Sequence, residues 1–166
     1  DYVLGTIHRA SNTDFIENLV SIFKGLSSSD HKVVIPLHPR TRKVLDANRI
    51  LVSDNVRFVD PVGYLDMLQL IKNSMGVITD SGGLQEEAPA LGKPVLVLRE
   101  TTERPEAVDA GTARLVGTDP TAIHREASLL LDNSEAYNAM AKAVNPFGDG
   151  KASGRILEAA LELLAS

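Results

Sequence analysis

An apolar segment, Val77-Ile-Thr79, runs directly into Asp80-Ser-Gly-Gly-Leu-Gln-Glu-Glu-Ala-Pro-Ala-Leu-Gly92, and that junction holds the residue types needed to cradle an anion. In a parallel sheet the turn after a strand lies on the edge where ligands bind. The helix that follows aims unpaired N–H groups and the positive end of its dipole at the same place. Ser81 supplies a hydroxyl, and Gly82 and Gly83 let backbone approach a diphosphate. Glu86 and Glu87 are expected in the first helical turn, where carboxylates are tolerated or useful. The same residues also make an ordinary strand-to-helix turn. The reading therefore depends on what neighbouring loops bring to the same edge.

The elements that position those loops follow from the alternation of apolar runs with amphipathic segments along the whole chain, which predicts repeated βα units and a mostly parallel sheet. Strands are expected at 2–7, 32–37, 56–58, 76–79, 95–98 and 113–116, all short and rich in Val, Ile and Leu as strands covered on both faces should be. Helical periodicity falls at 15–26, 41–48, 64–73, 84–91, 105–110, 120–131, 134–143 and 152–164. Asp119-Pro120 reads as an N-cap followed by proline at the first helical position, and Gly92 as the residue that stops its helix. Asn145-Pro-Phe-Gly-Asp-Gly150 is a dense turn cluster before the last helix. That helix carries Ile156, Leu157, Ala160, Leu161 and Leu164 on one face, which is expected to be buried on this domain or on something outside this chain.

Collecting the residues after each strand gives a polar rim: His8-Arg9-Ala-Ser-Asn12, His38-Pro-Arg40, Asp60-Pro61, Asp80 to Gly83, and Arg99 to Pro105. His8 either bonds to loop backbone or faces a ligand from that rim. Arg9 and Arg40 read equally as solvated cations. Arg104 precedes Pro105 at a helix start, where a cation opposes the dipole, so an anionic neighbour or ligand is expected beside it. Glu87 is either a favourable first-turn charge or a bidentate acceptor for two vicinal hydroxyls, as on a ribose.

Composition bounds the rest. The chain has 166 residues, 43% of them hydrophobic, enough for one domain with a full core. A net charge of −5 and a pI near 5.3 argue against nucleic acid or an anionic membrane as main partner. The absence of cysteine excludes disulfides and thiolate metal sites, and fits a reducing compartment. No apolar run approaches the roughly 20 residues of a membrane span, and no signal peptide is visible, so a cytoplasmic location is expected. The first strand begins almost at Asp1, without an initiator Met, and the chain reads as part of a longer protein. The histidines lack metal-ligand spacing, and no P-loop, G-x-S-x-G or G-x-G-x-x-G motif is present, which weakens nucleophilic-hydrolase and oxidoreductase readings. No cofactor and no metal are expected.

The runs Thr6-Ile-His-Arg-Ala-Ser-Asn12, Pro36-Leu-His-Pro39, Thr79-Asp-Ser-Gly-Gly-Leu-Gln-Glu-Glu-Ala-Pro89, Leu91-Gly-Lys-Pro-Val95, Arg99-Glu-Thr-Thr-Glu-Arg-Pro-Glu106, Gly111-Thr-Ala-Arg-Leu-Val-Gly117 and Asn145-Pro-Phe-Gly-Asp-Gly150 resemble the non-hydrolysing UDP-N-acetylglucosamine 2-epimerases. The resemblance covers nearly the whole chain but only the second half of such an enzyme. It implies a Rossmann-like, doubly wound α/β domain with helices on both faces, the C-terminal half of a glycosyltransferase-B type fold. The whole of 1–166 would be one nucleotide-sugar-binding domain, with the helix in 151–165 packing on the missing N-terminal domain. It also implies the reaction: interconversion of UDP-GlcNAc and UDP-ManNAc by elimination and re-addition of UDP, in polysaccharide biosynthesis.

Residue by residue, the resemblance places Ser81, Gly82 and Gly83 on the diphosphate and Glu87 on the ribose. It places Arg104 at the phosphates or sugar, Met67 facing uracil, and His8 as a catalytic residue near the reacting sugar. Arg9 and His38 are implied in a secondary, activator-binding surface. Met67 stands where members often carry an aromatic ring, and Ser11 where they usually carry Glu. The implied partners are the UDP-sugar, the N-terminal domain and, in the full-length protein, a second copy. The acid and base residues are implied to lie mostly on the absent domain, so this chain alone is expected to bind UDP weakly and not to epimerise. The alternatives are the nucleotide-binding domain of a UDP-GlcNAc-dependent glycosyltransferase and a non-catalytic UDP-sugar-binding module.

Overall fold

The structure, a computed structural model, describes residues 1–165. Six strands, β1 (Val3–Thr6), β2 (Val33–Pro36), β3 (Val56–Val59), β4 (Val77–Thr79), β5 (Val95–Val97) and β6 (Ala113–Leu115), form one sheet in the order β3-β2-β1-β4-β5-β6. Every pairing is parallel, with Val3 opposite Val33 on one side of β1 and Gly5 opposite Ile78 on the other. The expected strands are all present, and the doubly wound order is that of a Rossmann-like sheet. The described helices are α1 (Ala10–Thr13), α2 (Ile16–Ser27), α3 (Pro39–Asn48), α4 (Tyr64–Asn73), α5 (Gly82–Ala90), α6 (Pro105–Asp109), α7 (Pro120–Asp132), α8 (Ser134–Ala141) and α9 (Ala152–Ala165).

Strand alternation divides the interior into two cores. Ile78 and Leu96 point into a core closed by Ile22 and Phe23 of α2 and Ile123 of α7, while Val77, Val95 and Val97 point into another closed by Ile71 of α4 and Ala88 of α5. Burying each large aliphatic or Phe side chain contributes about 1.5–3 kcal/mol, so the helices are held chiefly by these faces. Phe23 meets Phe58 edge to face at 5.6 Å, fixing α2 over the outer strand. The α2–α7 contact is close because Gly25 carries no side chain: a Cβ there would stand 2.9 Å from Ile123 Cβ.

Cap chemistry follows the sequence. The Asp119 side chain accepts from Ala122 N at 2.8 Å with Pro120 opening α7, and Gly92 adopts φ +67° just after α5.

The structure differs from expectation at several helix ends, each for a local reason. Residues 10–13 form a short helix rather than loop, because Thr13 Oγ1 donates back to the Arg9 carbonyl at 3.1 Å and the Asn12 side chain is drawn into the interior. α3 begins at Pro39, since His38 caps it and proline suits the first position. α5 begins at Gly82, so the glycines lie inside the first turn and Glu86 and Glu87 fall in the second, not the first as expected. The apolar face of α9 is not buried within this chain: Ile156, Leu157, Leu161 and Leu164 are all exposed. Among the described residues no helix is long and apolar enough to cross a membrane.

Candidate functional site

The strand order reverses between β1 and β4. The helix after β1 covers one face of the sheet and the helix after β4 the other. Their connecting loops must diverge, and a crevice opens at the carboxyl ends of the two strands. His8 and Arg9 come from one side of that crevice, Asp80 and Ser81 from the other.

Asp80 joins the two sides. It is fully buried, and its carboxylate accepts from His8 N at 3.0 and 3.1 Å, from Arg9 N at 2.9 Å and from Asn12 Nδ2 at 3.1 Å. Asn12 Nδ2 also donates to the Leu98 carbonyl at 3.1 Å, which ties the end of β5 into the same knot. Several donors on one buried carboxylate make its charge tolerable without an ion pair to Arg or Lys. The His8 ring lies against the same group, with Nδ1 3.2 Å from Asp80 Oδ1. Sequence reasoning placed Asp80 on the rim but gave it no role. The available signal was a carboxylate directly after a wholly apolar strand, a place where a charge survives only if neighbouring N–H groups converge on it.

The start of α5 is shaped by a second polar pair beneath it. Thr79 Oγ1, buried and 2.5 Å from Thr6 Oγ1, accepts from Ser81 N at 2.9 Å. That bond uses the Ser81 N–H internally. Among the described residues no side chain caps α5, so the N–H groups of its first turn, beginning with Gly82 and Gly83, have no side-chain acceptor from a cap. Neither glycine is demanded by the chain's own geometry. Both are helical without positive φ; a Cβ on Gly82 would meet only the Arg9 Nη2 atom at 3.4 Å, and one on Gly83 only Ser81 Oγ at 3.9 Å. Two glycines in a helical turn that has room for side chains destabilise it, which points to close approach by something outside the chain.

In front of this helix start lies a cleft of about 280 Å³ lined by His8, His38, Met67 and Ser81 among others. His38 stands at the N-cap of α3, its Nδ1 accepting from Arg40 N at 3.2 Å, so a neutral His38 carries its proton on Nε2. The His8 and His38 rings are 6.1 Å apart and tilted by 37°. Thr41 Oγ1 donates to the Ile7 carbonyl at 2.6 Å and holds α3 against the end of β1. Met67, half-buried on α4, supplies an apolar wall.

The remaining candidates sit to the α6 side. Arg104 Nε donates to Glu86 Oε1 in an ion pair, so the anionic neighbour expected beside Arg104 is a residue of α5. A relay connects them further: Gln85 Nε2 donates to the Ser81 carbonyl at 3.1 Å, Thr102 Oγ1 donates to Gln85 Oε1 at 2.6 Å, and Arg104 N donates to Thr102 Oγ1 at 3.0 Å. Gln85 is fully buried, so the α6 loop and the start of α5 are positioned as one unit.

Burial first, and then the neighbouring Glu86 charge, raise the Glu87 carboxyl above its ordinary value. Arg9 does not join His38; its guanidinium turns to Glu103 at 3.1 Å. Glu103 also binds Arg99 through both oxygens, and the Arg99 hydrogen bond chiefly lowers its carboxyl to about 2. Arg40 pairs with Asp14 rather than facing the cleft. Ser11 is exposed and borders a separate hollow of about 230 Å³ beside Arg99 and Thr118.

The structure thus brings His8, His38, Met67 and Ser81 around one cleft, with Gly82 and Gly83 at its helical wall. Arg104 is braced beside that wall, and Arg9 is paired with Glu103 while its Nη2 atom lies close to Gly82.

A family model described as UDP-N-acetylglucosamine 2-epimerase matches residues 1–161. Over 131 residues the chain is 53% identical to the UDP-N-acetylglucosamine 2-epimerase of Escherichia coli K12, covering 78% of this chain and 35% of that protein. The crystal structure of UDP-GlcNAc 2-epimerase from Neisseria meningitidis bound to UDP-GlcNAc is similar at 42% identity and a TM-score of 0.80, covering 98% of this chain and 45% of that one. The calicheamicin glycosyltransferase CalG4 shares 16% identity with a TM-score of 0.65, over 99% of this chain and 43% of its own, a likeness of fold alone. The chain spans less than half the length of the curated relatives it matches.

Proposed function

The chain belongs to the UDP-N-acetylglucosamine 2-epimerase family, and from that premise we propose that it is the UDP-gripping C-terminal domain of a two-domain enzyme interconverting UDP-GlcNAc and UDP-ManNAc. The observation that carries this reading is the start of α5. Two glycines that nothing in the chain requires stand at an uncapped helix N-terminus, beside Ser81 and at the crevice where the strand order reverses.

In the proposed reaction the C2 proton of the sugar is removed, the bond from C1 to the diphosphate oxygen breaks, and UDP departs to leave a 2-acetamidoglucal; UDP then adds back as C2 is reprotonated on the other face. The departing diphosphate gains negative charge as the bond breaks. Preset donors aimed at that charge lower the barrier because they need no reorganisation. Here those donors are the N–H groups of Gly82 and Gly83 and the Ser81 hydroxyl. Arg104 adds to them by sharing its guanidinium between Glu86 and the phosphates. Glu87 takes the ribose hydroxyls, Met67 lies against the base, and His8 meets the sugar side of the leaving group. His38 and Arg9 are assigned to a secondary, activator-binding role, His38 from the cleft wall and Arg9 from beside Gly82.

The carboxylates that move the C2 proton belong to the N-terminal domain in this reading. The exposed face of α9, with Ile156, Leu157, Leu161 and Leu164, is the surface that packs on it.

Two assays on this chain test the proposal together. Calorimetric titration is expected to show UDP binding, and incubation with UDP-GlcNAc to yield no UDP-ManNAc until the N-terminal domain is supplied. Robust epimerisation by the chain alone, or no UDP binding at millimolar concentration, would overturn it. In the full-length protein UDP-ManNAc is expected without any acceptor; turnover that requires an acceptor would favour a glycosyltransferase.

A further inference from the structure

We propose that Asp80 is a positioning residue for His8: it holds the imidazole with its proton on Nδ1 and so presents an unprotonated Nε2 to the cleft when the ring is neutral. Its significance for catalysis rests on the function proposed above, but the geometry does not. Asp80 is fully buried at the end of β4, and it takes the main-chain N–H of His8 through both oxygens, at 3.0 and 3.1 Å. The Arg9 N–H and the Asn12 amide fix Asp80 Oδ2 from other directions, at 2.9 and 3.1 Å. Oδ1 has the lighter load, and it is Oδ1 that stands 3.2 Å from His8 Nδ1.

A carboxylate with no proton of its own can only accept, so the ring nitrogen facing it is the one that carries hydrogen. The other groups that face the ring do not reverse that assignment. Neutral His38 keeps its proton on Nε2 and its ring is 6.1 Å away, while the Arg9 guanidinium is engaged by Glu103.

The consequence is chemical. With Nδ1 held 3.2 Å from a buried anion, its proton is favoured there, and Nε2 is the nitrogen left to accept a proton from, or return one to, a group in the cleft. A histidine with the opposite tautomer offers a donor there and no base. The same buried group also sets the backbone direction of residues 8 and 9, so tautomer and ring placement are determined together.

The test is the tautomer itself, read from long-range ¹H–¹⁵N correlations of the ¹⁵N-labelled chain at alkaline pH, with His8 assigned by its loss in His8→Gln. Wild type is expected to show the pattern of a protonated Nδ1 and a bare Nε2. In Asp80→Asn an amide can turn its NH₂ toward the ring, and His8 is expected to shift to the Nε2–H form that predominates in free imidazole. A wild-type spectrum dominated by Nε2–H overturns the proposal without reference to any variant, so poor folding of Asp80→Asn does not shelter it. An Nδ1–H pattern unchanged in folded Asp80→Asn also overturns it. UDP titration of the same samples keeps the two claims separate, because loss of UDP binding with the tautomer intact would count against the nucleotide site and leave the Asp80–His8 pair standing.

Discussion

At Gly25 a Cβ would stand 2.9 Å from Ile123 Cβ and 3.0 Å from the Pro120 carbonyl oxygen, whereas at Gly83 it would meet nothing closer than the Ser81 hydroxyl at 3.9 Å. Both glycines are helical, in α2 and α5, so backbone conformation requires neither. At the α2–α7 contact glycine is a packing requirement, because the neighbours are a rigid β-branched side chain and a main-chain atom that cannot move aside. At the start of α5 the space is open, and the same residue type costs helix stability for no internal gain. The difference separates a glycine that the fold needs from one that the fold does not need, and it does so without reference to any relative.

Substitutions sharpen that distinction, beginning where the fold should suffer most. Gly25→Ala is expected to destabilise the chain by about 1–3 kcal/mol through overpacking, seen as a lower urea midpoint, with UDP affinity of the folded fraction unchanged. A neutral effect would mean that α2 and α7 separate freely, and would break the contrast. Gly92→Ala examines a third reason for glycine, a left-handed conformation with φ +67° and no crowding closer than 3.7 Å. It should cost about 1–2 kcal/mol from the backbone alone, again by urea titration.

Two carboxylates give smaller effects of opposite sign. Glu87 has a folded-state value raised by burial and by Glu86, so ionising it opposes folding. Its favourable contribution is present below the ordinary carboxylate range and is lost as pH rises through the raised value. Glu87→Gln is therefore expected to be slightly more stable than wild type at neutral pH, with the gap closing in acid, while binding UDP less well. Glu103, lowered to about 2 chiefly by the Arg99 hydrogen bond, behaves in reverse: its contribution is present above 4.5 and disappears as pH falls through about 2. Because Glu103 is half exposed, screening keeps that contribution small. The smallest stability change is expected for Glu103→Gln, measured as a difference in urea midpoint between neutral pH and acid.

The same contrast explains what could be read before the structure. Short Val- and Ile-rich strands between amphipathic helices are written in period and composition, so the sheet and the identity of its rim loops followed directly. Gly82 and Gly83 stand out in the sequence as candidates for a cradle, but their place inside the first turn of α5 does not, because Thr79 turning its hydroxyl to Ser81 N helps set where the helix begins. Asp80 was visible only as a rim carboxylate. Its role arises from the convergence of residues 8, 9 and 12 across the β1–β4 pairing, a contact far apart in sequence. Arg104 and Arg9 were legible as rim cations, while their partners Glu86 and Glu103 depend on how α5 and α6 pack. The α9 stripe was correctly seen as apolar, yet periodicity says only that a face seeks cover and not that this chain supplies it.

The central claim, that the start of α5 is built for a diphosphate rather than for the fold, is tested most directly by one paired measurement on Gly82→Ala/Gly83→Ala: urea unfolding and UDP titration of the same preparation. The variant is expected to be as stable as wild type or more so, by about 0.4–1 kcal/mol per site, and to bind UDP at least about tenfold more weakly, a loss of about 1.4 kcal/mol. A variant that binds UDP as wild type does, or one that loses both stability and binding together, would contradict it.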